Sequence, residues 1–297
     1  MVTTQARMIV DCHTQIWEPH KLPRWVQSAF GAVVPADTNR HLEAVEPIDR
    51  AIVLAFKSVF LQSEIPNRYV ADYCRRNSSK LIGFAGVDPT AHDYIADLRS
   101  SQEELGLKGV VISPALQNFH PVDTRAMRLY EECVNRGMPV VFEENHRFDG
   151  ARMEFARPML LDEVAREFPE LRIVITHMGY PWVDETIVML AKHPNVYANV
   201  AGLLKQQWLA YNALVSAFQN GVIDKLLFGS DFPYRSPAAC IETLYSLNQM
   251  THGTNLPTIP REHLRGIVER DSLALLGVER RSRNGLQTAA LEFNDED

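Results

Sequence analysis

Two imidazoles and two carboxylates, each standing where a short apolar, strand-like run ends, are the residues of this chain whose types could do chemistry. The runs are Ile9-Val10-Asp11-Cys12-His13-Thr14-Gln15, Pro139-Val140-Val141-Phe142-Glu143, Ile173-Val174-Ile175-Thr176-His177 and Leu226-Leu227-Phe228-Gly229-Ser230-Asp231. Imidazole nitrogens and carboxylate oxygens are ligands for divalent metals, and the same groups serve as general acids and bases. Residues this far apart share a site only if the fold gathers strand ends. A parallel β/α barrel does so, because its strand C-termini all open on one mouth.

Each cluster also has a plainer explanation. Asp11, His13 and Gln15 at i, i+2 and i+4 face one way along an extended strand. Three polar side chains turned into a barrel interior call for a site, unless the strand has already run out into a loop. A lone histidine after a strand is more often structural than catalytic. Here Gly179 permits a tight turn, and Tyr180 and Trp182 set flat apolar surface beside His177. For Asp231 the plainer role is the N-cap of a helix beginning near Pro237, which the six-residue gap weakens. Glu143 and Glu144 cannot share a strand face; Val141 at i−2 makes Glu143 the inward one. A pair of surface carboxylates is the alternative.

The elements needed to position these groups are legible. Strand candidates are Met8–Asp11, Arg50–Ala55, Leu81–Val87, Gly109–Ser113, Pro139–Glu143, Arg172–Thr176, Val196–Val200 and Lys225–Gly229. Amphipathic stretches fall between them, including Asn67–Asn77, Thr124–Asn135, Arg157–Glu167, Asp184–Lys192 and Gln206–Gln219. Strand and helix alternating throughout predict a parallel sheet, and eight strands predict a closed (β/α)8 TIM-type barrel, α/β in class and a single domain. The barrel is expected over 1–278. Within it the segment 17–41, rich in proline and tryptophan, reads as a long loop over the mouth, and 279–297 as a tail without chemistry.

Bulk properties narrow the partners. A formal net charge of −7 over 297 residues gives no electrostatic reason to expect nucleic acid or an anionic membrane. No window approaches the roughly 20 apolar residues that span a bilayer, and Met1–Arg7 leads into a strand rather than a secretory segment. The four cysteines, Cys12, Cys74, Cys133 and Cys240, are scattered without disulfide or zinc spacing, as in a reduced cytoplasmic protein. Alternation turns Cys12 away from Asp11 and His13, which argues against a cysteine nucleophile. A small molecule is the expected partner.

Five strings in order complete the pattern: Asp11-Cys12-His13, Gly106-Leu107-Lys108-Gly109-Val110, Met138-Pro139-Val140-Val141-Phe142, Thr176-His177-Met178-Gly179-Tyr180-Pro181-Trp182 and Phe228-Gly229-Ser230-Asp231-Phe232-Pro233. Together they resemble the amidohydrolase-related (aminocarboxymuconate-semialdehyde decarboxylase-like) metal-dependent hydrolases, from about Met8 to Gly277, with Arg270–Gly277 similar to the family's closing helix. The resemblance implies a distorted (β/α)8 barrel holding one divalent metal. Its ligands would be a His-x-His pair on the first strand, a histidine ending the fifth and an aspartate ending the eighth. A sixth-strand histidine would assist proton transfer, and a homodimer is an option. Carried over, His13, His177 and Asp231 match. The second first-strand histidine is Gln15 here, and the fifth-strand histidine is Glu143.

Those departures leave two readings of the site. A glutamine oxygen is a weak ligand, while Glu143 turns the set toward oxygen-preferring ions. The metal set would be His13, Gln15, Glu143 and Asp231, holding zinc or manganese, with His146 as a substitute ligand. The other reading is metal-free, with Asp231 or Glu143 as general base. Gly109–Ser113 offers no inward lysine for a carbamate-bridged metal pair. The expected activity is hydrolysis or non-oxidative decarboxylation of a small organic acid, aromatic or a lactone. His177 and Asp231 would be catalytic, and Trp17, Tyr180 and Trp182 would line the pocket. The alternative is a decayed barrel kept as a binding or scaffolding protein.

Overall fold

The computed structural model describes residues 8–18, 23, 35–143, 148 and 150–279. Eight parallel strands follow one another around a single sheet: β1 Val10–Thr14, β2 Arg50–Leu54, β3 Leu81–Gly86, β4 Val110–Ile112, β5 Val140–Phe142, β6 Ile173–Ile175, β7 Val196–Asn199 and β8 Leu226–Leu227. Outside β1, whose interior carries Asp11 and His13, the strands are dominated by apolar residues such as Val, Ile, Leu and Ala, as strands buried on both faces require. The ring closes between β8 and β1 through Cys12 N–H to Phe228 O, Asp231 N–H to His13 O and Gln15 N–H to Phe232 O, at 2.9, 3.1 and 2.9 Å.

Helices cross between the strands. Thr124–Asn135 is capped by Asp123 and Asn67–Arg76 buries Val70, Ala71, Tyr73 and Cys74. Pro158 breaks the expected Arg157–Glu167 helix into a 3-10 turn, Pro158–Leu161, and a short α-helix, Asp162–Glu167. The short closing helix Ser272–Leu275 is capped by Asp271 and packs against β1. Sequence periodicity did not reveal the antiparallel hairpin Phe56–Ser58 with Ser63–Ile65, which rises from the end of β2.

Two expectations need correction. β1 starts later than Met8–Asp11 and includes His13. The stretch 17–41 is not loop to its end: Asp37 accepts N–H bonds from Asn39 and Arg40 and starts a helix, Thr38–Val45. Residues 19–22 and 24–34 of that stretch, His146, and 280–297 of the tail lie outside the described residues. Among the described residues no helix is long and apolar enough to cross a membrane, and all four cysteines are free and buried.

Candidate metal centre and active site

The first strand reaches the site through an irregularity. Its pairing with β2 slips by one residue between Asp11 and Thr14, so strict alternation fails there. The Asp11 carboxylate holds this irregular stretch: its Oδ1 accepts the N–H groups of His13 and of Ser230, both at 3.0 Å. It ties β1 to the end of β8 and aims the neighbouring imidazole. Burial pushes the Asp11 carboxyl up to about 7. Cys12 points the other way; burial lifts its thiol to about 12, beyond useful nucleophilicity.

His13 is 1% exposed, and its Nε2 lies 3.4 Å from Glu143 Oε2 and 3.7 Å from Asp231 Oδ1. The other Glu143 oxygen faces His177 Nε2 at 3.4 Å, and the two imidazole rings stand 5.0 Å apart. One donor atom from each of His13, Glu143 and His177 lies within 4.8 Å of the other two. His13 Nε2 and Glu143 Oε2 are both buried and, among the described residues, without a hydrogen-bond partner. Burying such atoms unpaired is costly, and a cation between them removes the cost. This donor set fits a divalent ion.

The charges are arranged asymmetrically. Burial holds the His13 imidazole below its ordinary range, against the opposing pull of Glu143 and Asp231. For Glu143 burial works upward, but His13, His177 and Lys205 outweigh it and keep the carboxylate ionised. At His177 burial works downward, and Glu143 and Asp231 reverse it, raising the imidazole. Its Nδ1–H donates to Ala201 O at 2.8 Å, leaving Nε2 alone to face the centre.

Asp231 lies at the opening of the centre. Its Oδ2 pairs with Lys205 Nζ at 2.5 Å, and that ammonium also sits 4.2 Å from the centroid of the Tyr234 ring. Asp231 does not cap the helix Pro237–Ser246; Ser236 does, accepting from Ala239 N–H. Both His177 and Asp231 adopt left-handed backbone, at φ 54° and 65°, as does Met178 at 48°. Non-glycine residues adopt this conformation at a cost that surrounding structure must offset, and such outliers gather at functional sites.

Of the residues expected from sequence, the structure thus brings together His13, Glu143, His177 and Asp231. His177 joins the donor set, while Asp231 is held by a lysine. Gln15 is buried just beyond β1, fixed by its backbone to Phe232 O. Trp17 is buried with its indole N–H unpaired among the described residues. Tyr180 and Trp182 are half-exposed on the turn that follows His177.

Sequence reasoning missed two residues. Asn199 ends β7, the same strand-end signal that drew attention to the others; its Oδ1 accepts the N–H of His177 at 3.0 Å and of Ala201 at 3.3 Å. Lys205 carries no strand-end signal. It lies on the 3-10 turn Leu203–Lys205 beyond β7, and only its being a single cation in an apolar stretch could have marked it.

A family model described as amidohydrolase matches residues 10–276. The chain belongs to the amidohydrolase family. The curated relative that it matches is an enzyme. An L-fucono-1,5-lactonase from Burkholderia ambifaria is 25% identical over 243 residues, 75% of this chain and 80% of that protein. Among solved structures, an uncharacterised TIM-barrel protein from Bordetella bronchiseptica superposes with a TM-score of 0.70 at 20% identity, covering 91% of this chain and 98% of that one. A dihydroxybenzoic acid decarboxylase from a Polaromonas species, with bound manganese and the inhibitor 2-nitroresorcinol, gives 0.66 at 13% identity over 92% and 97%. At these identities the structural likenesses establish the shared barrel.

Proposed function

We propose that this amidohydrolase-family enzyme hydrolyses a lactone or ester of a small organic acid at the cup formed by His13, Glu143, His177 and Asp231. The observation that carries the reading is the placement of Asp231: a carboxylate with one oxygen on Lys205 and the other aimed at the donor cluster. The lactonase relative supports the substrate class, and the manganese in the decarboxylase neighbour supports the ion.

His13 Nε2, Glu143 and His177 Nε2 would hold one divalent ion, zinc or manganese. Such an ion supplies Lewis-acid polarisation of the substrate carbonyl and a lower pKa for water. Asp231 Oδ1 takes the proton of the attacking water and returns it to the leaving alkoxide. Lys205 keeps Asp231 oriented, and its ammonium stabilises negative charge developing on the carbonyl oxygen. His177 has a single free nitrogen, so it takes one role at a time: ligand with the ion held, proton donor without it. Trp17, Tyr180 and Trp182 support an apolar wall for the organic part of the substrate.

The test is a panel of lactones, esters and aromatic acids assayed by acid release and by carbon dioxide release, alongside elemental analysis of wild type and Glu143→Ala. Acid release lost in Asp231→Asn, with metal lost in Glu143→Ala, is the expected result. Carbon dioxide release instead would make the same groups those of a decarboxylase. Turnover resistant to chelators would remove the ion. No turnover and no metal would remove the enzyme reading.

A further inference from the structure

Both imidazoles of the cup are held at Nδ1, but His13 by a side-chain amide and His177 by a backbone carbonyl, so the two rings are held in opposite senses. Asn199 is fully buried at the end of β7. Its Oδ1 accepts two backbone N–H groups, those of His177 and Ala201. Rotating the amide by half a turn would aim its NH2 at both of these donors and forfeit both bonds, so its orientation is fixed. Nδ2 is therefore the atom facing His13 Nδ1, at 3.3 Å, and it must donate. A ring nitrogen that accepts a hydrogen bond carries no proton. In neutral His13 the proton is then on Nε2, the atom that points at Glu143 and Asp231. His177 is the reverse: its Nδ1–H is spent on a carbonyl, the arrangement in which Nε2 can present a lone pair.

We infer that Asn199 is a positioning residue that locks His13 as the Nε2–H tautomer, and so sets how tightly the cup takes a metal ion. Metal-ligating histidines ordinarily donate their second N–H to an acceptor, which frees the ligating nitrogen. Here the second nitrogen meets a donor instead. An ion arriving at His13 Nε2 must displace a proton, which can be rehoused on Nδ1 only by breaking the Asn199 contact. The lock weakens binding and makes the ion exchangeable. While the proton stays, His13 Nε2–H is a buried donor aimed into the cup, able to hydrogen-bond a substrate oxygen. The effect on metal affinity rests on the proposed reading of His13 and Glu143 as ion-holding residues; the tautomer does not.

Chelator-treated wild type, labelled with 15N on histidine, is examined by long-range proton–nitrogen correlation, with His13→Gln identifying the signal. The expected pattern is a protonated Nε2 and a bare Nδ1 for His13, and the opposite protonation in Asn199→Asp. The aspartate keeps one oxygen for the two backbone N–H groups and turns the other into an acceptor. Zinc affinity by calorimetry is expected to rise at least about tenfold in Asn199→Asp. A wild-type His13 protonated on Nδ1 overturns the inference, whether or not Asn199→Asp folds. A rise in affinity without the tautomer switching also overturns it, since added charge alone would then explain the gain. Zinc taken up by neither protein, with both tautomers as stated, defeats the metal reading and leaves the lock standing.

Discussion

Gly202 sits where the chain after β7 passes the cup, with φ at +71°, and a Cβ built there meets His177 Nδ1 at 2.8 Å and Asp231 Oδ2 at 3.5 Å. Gly202→Ala therefore does two things: it places an L-residue in left-handed backbone, at about 1–2 kcal/mol, and it pushes the His177 ring off Ala201 O. Loss of that buried bond adds about 1–3 kcal/mol. Gly221 separates the two effects, because it has φ +70° and nothing within 4 Å of an added Cβ. Gly221→Ala carries the backbone cost alone. By thermal unfolding, Gly202→Ala is expected to melt roughly 3–8 °C below Gly221→Ala. Turnover should stay near wild type in Gly221→Ala and fall on the order of a hundredfold in Gly202→Ala, since a small displacement of a catalytic group costs that much. Equal melting and equal turnover in the two variants would refute the claim that Gly202 exists to clear His177.

Further expectations follow from the same geometry. Asp231→Asn should cost on the order of 10²–10⁴ in turnover while leaving the fold intact by circular dichroism. Asp11→Asn keeps the oxygen that accepts from His13 and Ser230 and should be tolerated at neutral pH. Asp11→Ala leaves two buried N–H groups unpaired and should destabilise by about 2–4 kcal/mol in denaturant titration. Cys12→Ala should retain turnover, and alkylation of the native protein should not inhibit it through Cys12. In chelator-treated protein the stability advantage of wild type over His177→Gln should depend on pH in a defined direction. The His177 pKa is raised, so its contribution is complete below the ordinary value of 6.5 and is lost as pH rises through the folded-state value. The Glu143 pKa is lowered, so the pair is complete above the ordinary 4.5 and is lost as pH falls through the folded-state value. The advantage measured by melting should be greatest between those limits; a difference flat across them would show that the ion pair is not formed.

The strand–helix alternation, the eight-stranded barrel and the strand-end position of His13, Glu143, His177 and Asp231 were all written in local sequence. Runs such as Val140-Val141-Phe142 and Ile173-Val174-Ile175 have few alternatives to buried parallel strand, and a polar residue ending such a run must face a mouth or solvent. Three things were decided only in three dimensions. The slip at Asp11–Thr14 sets the direction of the His13 ring, and it comes from β1 meeting β2 and β8 at once, not from alternation along β1. The pairing of Lys205 with Asp231 depends on where a 3-10 turn beyond β7 falls relative to β8, which no periodicity encodes. The proton on His13 is fixed by Asn199, whose own orientation is fixed by the backbone of His177 and Ala201. A linear pattern tells which side chains carry chemistry, because residue type and burial are local. The state in which they carry it is set by neighbours distant in sequence, through hydrogen bonds and charges that exist only once the ring has closed.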